Sequence, residues 1–171
     1  ADSFHYLKGF AGTGSRTPTS SKIGTFSFWI KRTELGIRDQ WIISASNSAR
    51  SSGFKFDSSD RLAGYFSALG SGANFVSSQV FRDTSAWYHF VFAMDTSNGT
   101  AGDRFKIYVN GERITAWGTA PSVNQNTDLT LFNSGPTFQG WGTNNAYLDT
   151  DGTLSAYLAD LNFIDGQQLA P

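Results

Sequence analysis

Apolar residues recur at every second position along most of this chain, in short runs bounded by Gly, Ser, Asn or Asp. A period of two predicts strands, and their close spacing predicts a sandwich. The pattern gives about eleven strands, at residues 4–10, 25–31, 40–45, 53–57, 61–67, 74–81, 87–95, 104–110, 112–116, 128–132 and 154–164. Residues 44–52 (SASNSARSS) have the composition of a linker but fall between two such runs, so they read as a long hairpin loop. No repeat, heptad pattern or low-complexity tail interrupts the series.

The segment AWYHFVFAMDTSNGTAGDRFKIYVNGERITAW (86–117) is the most informative. In its first strand Trp87, His89, Val91 and Ala93 face one way, and Tyr88, Phe90, Phe92 and Met94 the other, so both faces need a cover. A second sheet covers one; a loop, a ligand or a partner subunit covers the other. The next strand points Phe105, Ile107 and Val109 inward, with Lys106, Tyr108 and Asn110 outward. Asn110-Gly111 then suits a two-residue type I′ turn, which predicts a three-strand meander. The polar loop before it holds the chain's one glycosylation sequon, Asn98-Gly99-Thr100, a tripeptide common by chance.

Composition agrees with an all-β protein and narrows its partners. The 171 residues suit one domain. Aromatic residues make up 15%, there are 18 glycines, and the only glutamates are Glu34 and Glu112. A net charge of -1 with scattered Lys and Arg provides no basic patch, so nucleic acid is not an expected partner. The lack of cysteine rules out disulfides and thiolate metal sites. No run approaches the length of a membrane span, so membrane insertion is not expected, and no signal peptide opens the sequence. The start at Ala1 implies processing, renumbering or a fragment.

GTFSFWIKR (24–32), WYHFVFAMDTS (87–97), DRFKIYVNGERI (103–114) and AYLADLNFIDGQQLAP (156–171) together resemble the concanavalin A-like lectin/glucanase superfamily, in its laminin-G-like or pentraxin-like jelly-roll form. The resemblance covers most of the chain. It implies one antiparallel two-sheet β-sandwich over 1–171, with the first and last strands adjacent. FSFWIKR, FRDTSAWYH (81–89) and ADLNFIDGQQL look closest to the versions in structural proteins of tailed phages, marine ones especially. That implies a virion component, a capsid decoration or tail-fibre domain that binds neighbouring virion proteins, cell-surface glycans or both. A homo-oligomer is expected, located on the virion surface or otherwise extracellular. The pentraxin disulfide is absent, so five-fold assembly is not implied. Related phage domains run on past Leu169–Pro171, which implies a fragment of a longer chain.

Candidate chemistry is sparse. Glucanases of this fold use a Glu-x-Asp-x-x-Glu strand, which this sequence lacks, so the expectation is a protein that is not an enzyme, with a glucanase-like hydrolase as a weaker alternative. His5 and His89 are too few for a histidine metal triad, and mid-strand His89 reads as a core histidine bonded to a backbone group. No G-x-S-x-G segment marks a nucleophile, and Gly12-Thr-Gly14 and Gly70-Ser-Gly72 are glycine turns rather than phosphate loops. Asp149 and Asp151, with Gly152 following, suit a weak calcium site, which the resemblance to laminin-G-like domains supports; the alternative is a solvated turn. FQGWGTNNAYLD (138–149) mixes an aromatic plate with planar polar groups, so Trp141, Asn144, Asn145 and Tyr147 form a candidate glycan site, and Trp117 a second. Both tryptophans could equally pack beneath loops or against a neighbouring subunit; a free carbohydrate-binding lectin-like domain is the alternative to a virion component. Trp29 and Trp87 read as core or sheet surface.

Overall fold

Asn110 and Gly111 adopt φ of 50° and 87°, the left-handed pair that a type I′ turn requires. They join β8 (Phe105–Val109) to β9 (Glu112–Arg113), and β8 pairs antiparallel with β7 (Tyr88–Asp95), completing the meander read from the sequence. The computed structural model describes residues 7–8, 18–47, 50–66, 73–132, 138–142 and 152–171.

On the other side of β7 lies β2 (Ile23–Arg32), with Phe26 opposite Phe92 and Phe28 opposite Phe90. β12 (Ala156–Asp165) pairs with β2 and closes a five-stranded sheet, ordered β12-β2-β7-β8-β9. The second sheet joins β1 (Leu7–Lys8), β3 (Gln40–Asn47), β4 (Arg50–Phe56), β5 (Arg61–Phe66), β6 (Ala73–Val80), β10 (Trp117–Thr119) and β11 (Phe138–Trp141). Its order is β1-β11-β3-β4-β5-β6-β10. Two antiparallel sheets packed face to face form the expected all-β sandwich.

Four expectations change. Residues 128–132 contain a single 3-10 turn, Thr130–Phe132, because Leu129 through Phe132 are all buried and a strand would turn every second one outward. β10 and β11 are short, contain glycine and show no alternation, so the period-two pattern missed them. Residues 44–52 are mostly strand, with Asn47 paired to Arg50, because polar serines fill the register of a hairpin. The described part of the first strand pairs with β11, whereas β12 pairs with β2, so the first and last strands are in different sheets.

The aromatic excess fills the space between the sheets. Phe54 of β4 stacks on Phe92 of β7 at 3.9 Å, and Phe75 meets Phe105 at 5.3 Å. Each fully buried Phe contributes about 1.5–3 kcal/mol by removal from water. Gly64 is small by necessity, since a Cβ there would lie 2.0 Å from the Phe75 ring. At one end of the sandwich Arg32, fully buried, sits over the Phe56 ring and pairs with Asp60 at 3.0 Å. Asp60 also accepts from Arg82 Nε (3.0 Å) and from the Gly36 N–H (2.7 Å). Burial pushes the Asp60 carboxyl up, but the donors of Gly36, Arg82 and Arg32 together hold it below the usual carboxylate range. Burial also lowers the Arg32 guanidinium from its ordinary value, against the pull of Asp60.

The second face of β7 is covered in part by the chain's own C-terminal residues. Thr25 Oγ1 donates to Gln167 O (2.8 Å) and accepts from the Leu169 N–H (2.9 Å). Gln168 Nε2 donates to Asp103 O at 2.7 Å. Thr25 and Ala93, which this strap bonds, are buried, as is Val91 on the same face. Beyond it Trp29 (38% exposed) and Tyr157 (62%) remain open on the same sheet, as does Trp87 (42%) just before β7.

Candidate functional site

The outer face of the seven-stranded sheet carries a depression of about 320 Å³, within the range of small-ligand sites. Strand alternation builds it. Phe54 and Phe56 of β4 point into the core, so Gly53, Lys55 and Asp57 point out; on β5, Leu62 and Phe66 go in, and Ala63 and Tyr65 out. Trp41 of β3 is opposite Lys55, and Val76 of β6 opposite Ala63, on the same face.

Gly53 makes room for the main wall. A Cβ there would lie 2.8 Å from the Trp41 ring and 2.4 Å from Ile43 O, so only glycine lets the indole lie down over β4. Lys55 Nζ is 5.2 Å from the Trp41 ring centre and pairs with Asp39. Asp57 caps the β4–β5 turn by accepting from the N–H groups of Ser59 (2.9 Å) and Arg61 (3.0 Å). Its other oxygen receives Arg61 Nε at 2.9 Å and Nη2 at 2.7 Å. The result is an aromatic wall on Trp41 and Tyr65, edged by planar and charged groups whose own charges are balanced. Such a surface can stack on the face of a ring and bond its hydroxyls.

The residues expected from the sequence are placed differently. Trp141 is opposite Ile43 on β11 and turns inward, meeting Phe28 at 5.1 Å and Phe26 at 5.8 Å edge-on, so it is a half-buried core residue and not an exposed plate. Asn144, Asn145, Tyr147, Asp149 and Asp151 lie outside the described residues, so the glycan and calcium expectations on that loop concern residues the structure does not describe. No group of three or more potential metal-ligating side chains occurs among the described residues. Trp117 stands half-buried, edge-on to Phe75 at 5.7 Å, and lines a separate depression. His89 bonds a side chain where a backbone group was expected: its Nε2 lies 2.9 Å from Ser27 Oγ on the outer sheet face, beside the Trp29 ring at 4.9 Å, and no ring bond to a backbone group occurs among the described residues. Glu34 lies in the loop after β2, 3.4 Å from Arg38, and Glu112 is exposed at the hairpin.

Sequence reasoning missed Trp41, Lys55, Asp57 and Tyr65. The signal was the alternation of GFKFD (53–57) and LAGYF (62–66), which puts phenylalanines on one face and small, charged or hydroxylated residues on the other.

A laminin-G-type family model, described as the concanavalin A-like lectin/glucanases superfamily, matches residues 10–166. The chain belongs to that superfamily. Solved structures agree on the fold. A native heptameric SAP-like pentraxin from Limulus polyphemus is 16% identical, with a TM-score of 0.58 over 87% of this chain and 66% of that one. Trypanosoma rangeli sialidase in complex with sialic acid is 12% identical, with a TM-score of 0.61 over 87% of this chain and 21% of its own. Domains LG4-5 of the mouse laminin alpha1 chain are 12% identical, with a TM-score of 0.57 over 94% and 39%. This lectin/glucanases-type chain thus spans 66% of the pentraxin and far less of the other two. No protein of curated function matches its sequence. The superfamily's name covers binding proteins and hydrolases alike, so membership fixes the sandwich and leaves the activity to the site.

Proposed function

We propose that this domain is a non-enzymatic carbohydrate-binding module that holds a sugar ring against Trp41 in the groove of the seven-stranded sheet. The observation that carries it is the indole laid over Gly53 in a depression it shares with Tyr65 and with Lys55 and Asp57, whose charges are balanced by Asp39 and Arg61. Pyranose faces stack on such rings, and neutralised charge pairs offer both donors and acceptors to hydroxyls. The same pairing speaks against hydrolysis, since both nearby carboxylates are engaged by cations. Membership of a superfamily named for lectins, and likeness to a sialidase solved with sialic acid, are consistent with it.

A glycan array probed with the wild type and with Trp41→Ala tests the proposal. Binding is expected in the wild type and at least about tenfold weaker in the variant, as for other central aromatic contacts. Signal unchanged in Trp41→Ala, or release of hydrolysed oligosaccharide, would contradict it.

A second reading, a phage virion component that packs against neighbouring subunits, is favoured by the open aromatic patch of Trp29, Trp87 and Tyr157. The phage-like segments FSFWIKR and FRDTSAWYH contribute Trp29 and Trp87 to it. Light scattering is expected to give an oligomer that Trp29→Glu dissociates; a monomeric wild type would remove this reading.

A further inference from the structure

Where the edge strands of the two sheets meet, β10 of one and β9 of the other, a second depression of about 380 Å³ opens between them. Phe105 forms part of its floor, Ile114, Trp117 and Pro121 supply apolar walls, and Arg113 stands at its side. Trp117 is held edge-on by Phe75, which itself packs on Phe105, so the wall is anchored in the core.

The charge around this pocket is uneven. Arg113 Nη2 donates to Gly102 O at 2.5 Å, and Nη1 lies 3.6 Å from Asp103, an ion-pair distance without a hydrogen bond, so the described contacts use one of its five N–H donors. Asp103 is shared with Lys106 at 3.3 Å. Arg104, next to Asp103, directs its guanidinium to three neutral carbonyls, those of Asn98, Gly99 and Val123. Arg113 is the one charged residue among those described as lining the pocket, and it shares its carboxylate, Asp103, with Lys106. An anchored indole next to an incompletely paired guanidinium matches a ring that carries a carboxylate, since Arg recognises that group in a plane.

We infer that the β9–β10 pocket is a second sugar site, selective for a carboxylate-bearing pyranose that stacks on Trp117 and pairs with Arg113. It is independent of the Trp41 groove, so either can fail alone. Saturation-transfer NMR titrations with glucuronate, galacturonate and N-acetylneuraminate, alongside neutral glucose and galactose, test it on the wild type, Arg113→Gln and Trp41→Ala. At least one acid is expected to bind with a millimolar Kd, tenfold or more weaker in Arg113→Gln, unchanged in Trp41→Ala, and weakened by raising NaCl from 50 to 500 mM. Arg113 is 40% exposed, and equal thermal midpoints are expected for the wild type and its Gln variant. Binding of none of the three acids, binding indifferent to Arg113→Gln, or equal Arg113 dependence for the neutral sugars would overturn the inference.

Discussion

The two sheets present outer faces of opposite character. The five-stranded sheet turns out Thr25 and Ala93, buried and bonded to a C-terminal strap, and then an open aromatic area around Trp29. On the seven-stranded sheet the Trp41 indole lies directly on a strand because Gly53 withdraws its own side chain. One face is closed by the chain's own backbone, the other is shaped by a missing Cβ. Apolar surface on a sheet therefore says little about function until what lies on it is known.

The largest effect is expected where the two layers are tied together. Asp60→Ala leaves Arg32 buried without its partner and should cost about 3–5 kcal/mol in chemical denaturation, with both faces losing order together. The same group sets an acid limb. Its folded pKa lies below the unfolded value near about 3.9, so its stabilisation is complete above that pH and is lost as pH falls through the folded value. Stability of Asp60→Asn should therefore fall less steeply below about pH 4 than that of the wild type. Equal slopes would show that Asp60 is not the titrating group.

Next comes the face built on glycine. Gly53→Ala forces Trp41 or the β3 backbone to move, and overpacking of this kind costs about 1–3 kcal/mol. It should also weaken glycan binding as strongly as Trp41→Ala does. A Gly53→Ala protein with intact affinity would separate the indole's position from recognition. Smaller still is Thr25→Val, which removes both hydrogen bonds to the strap at a cost of about 1 kcal/mol and should speed amide exchange at Leu169 while leaving the Trp41 groove unaffected.

Legibility in the sequence followed the same division. Alternation located β2, β7 and β8, put Phe90 and Phe92 on one face of β7 and turned Phe105 of β8 inward, because a strand with one face in the core writes its period plainly. It failed at β10 and β11, which are too short to show a period, and at Leu129 to Phe132, where a tight turn buries consecutive side chains. Local composition left Trp141 open between an exposed plate and a packed residue; its phase against Ile43 turns it inward, and that phase is a property of pairing. The Trp41 groove was written in GFKFD and LAGYF, but only once β4 and β5 are paired do Gly53, Lys55 and Tyr65 share a face. His89 was placed mid-strand correctly, whereas its Ser27 partner comes from a strand sixty-two residues away.

Chemical-shift mapping on isotope-labelled protein tests the central claim most directly. Titration with an oligosaccharide selected on the array should move the Trp41 indole and the amides of Gly53, Lys55 and Tyr65, and leave the Trp29 indole still. Shifts gathered on Trp29 and Tyr157 with the Trp41 groove silent would contradict the account.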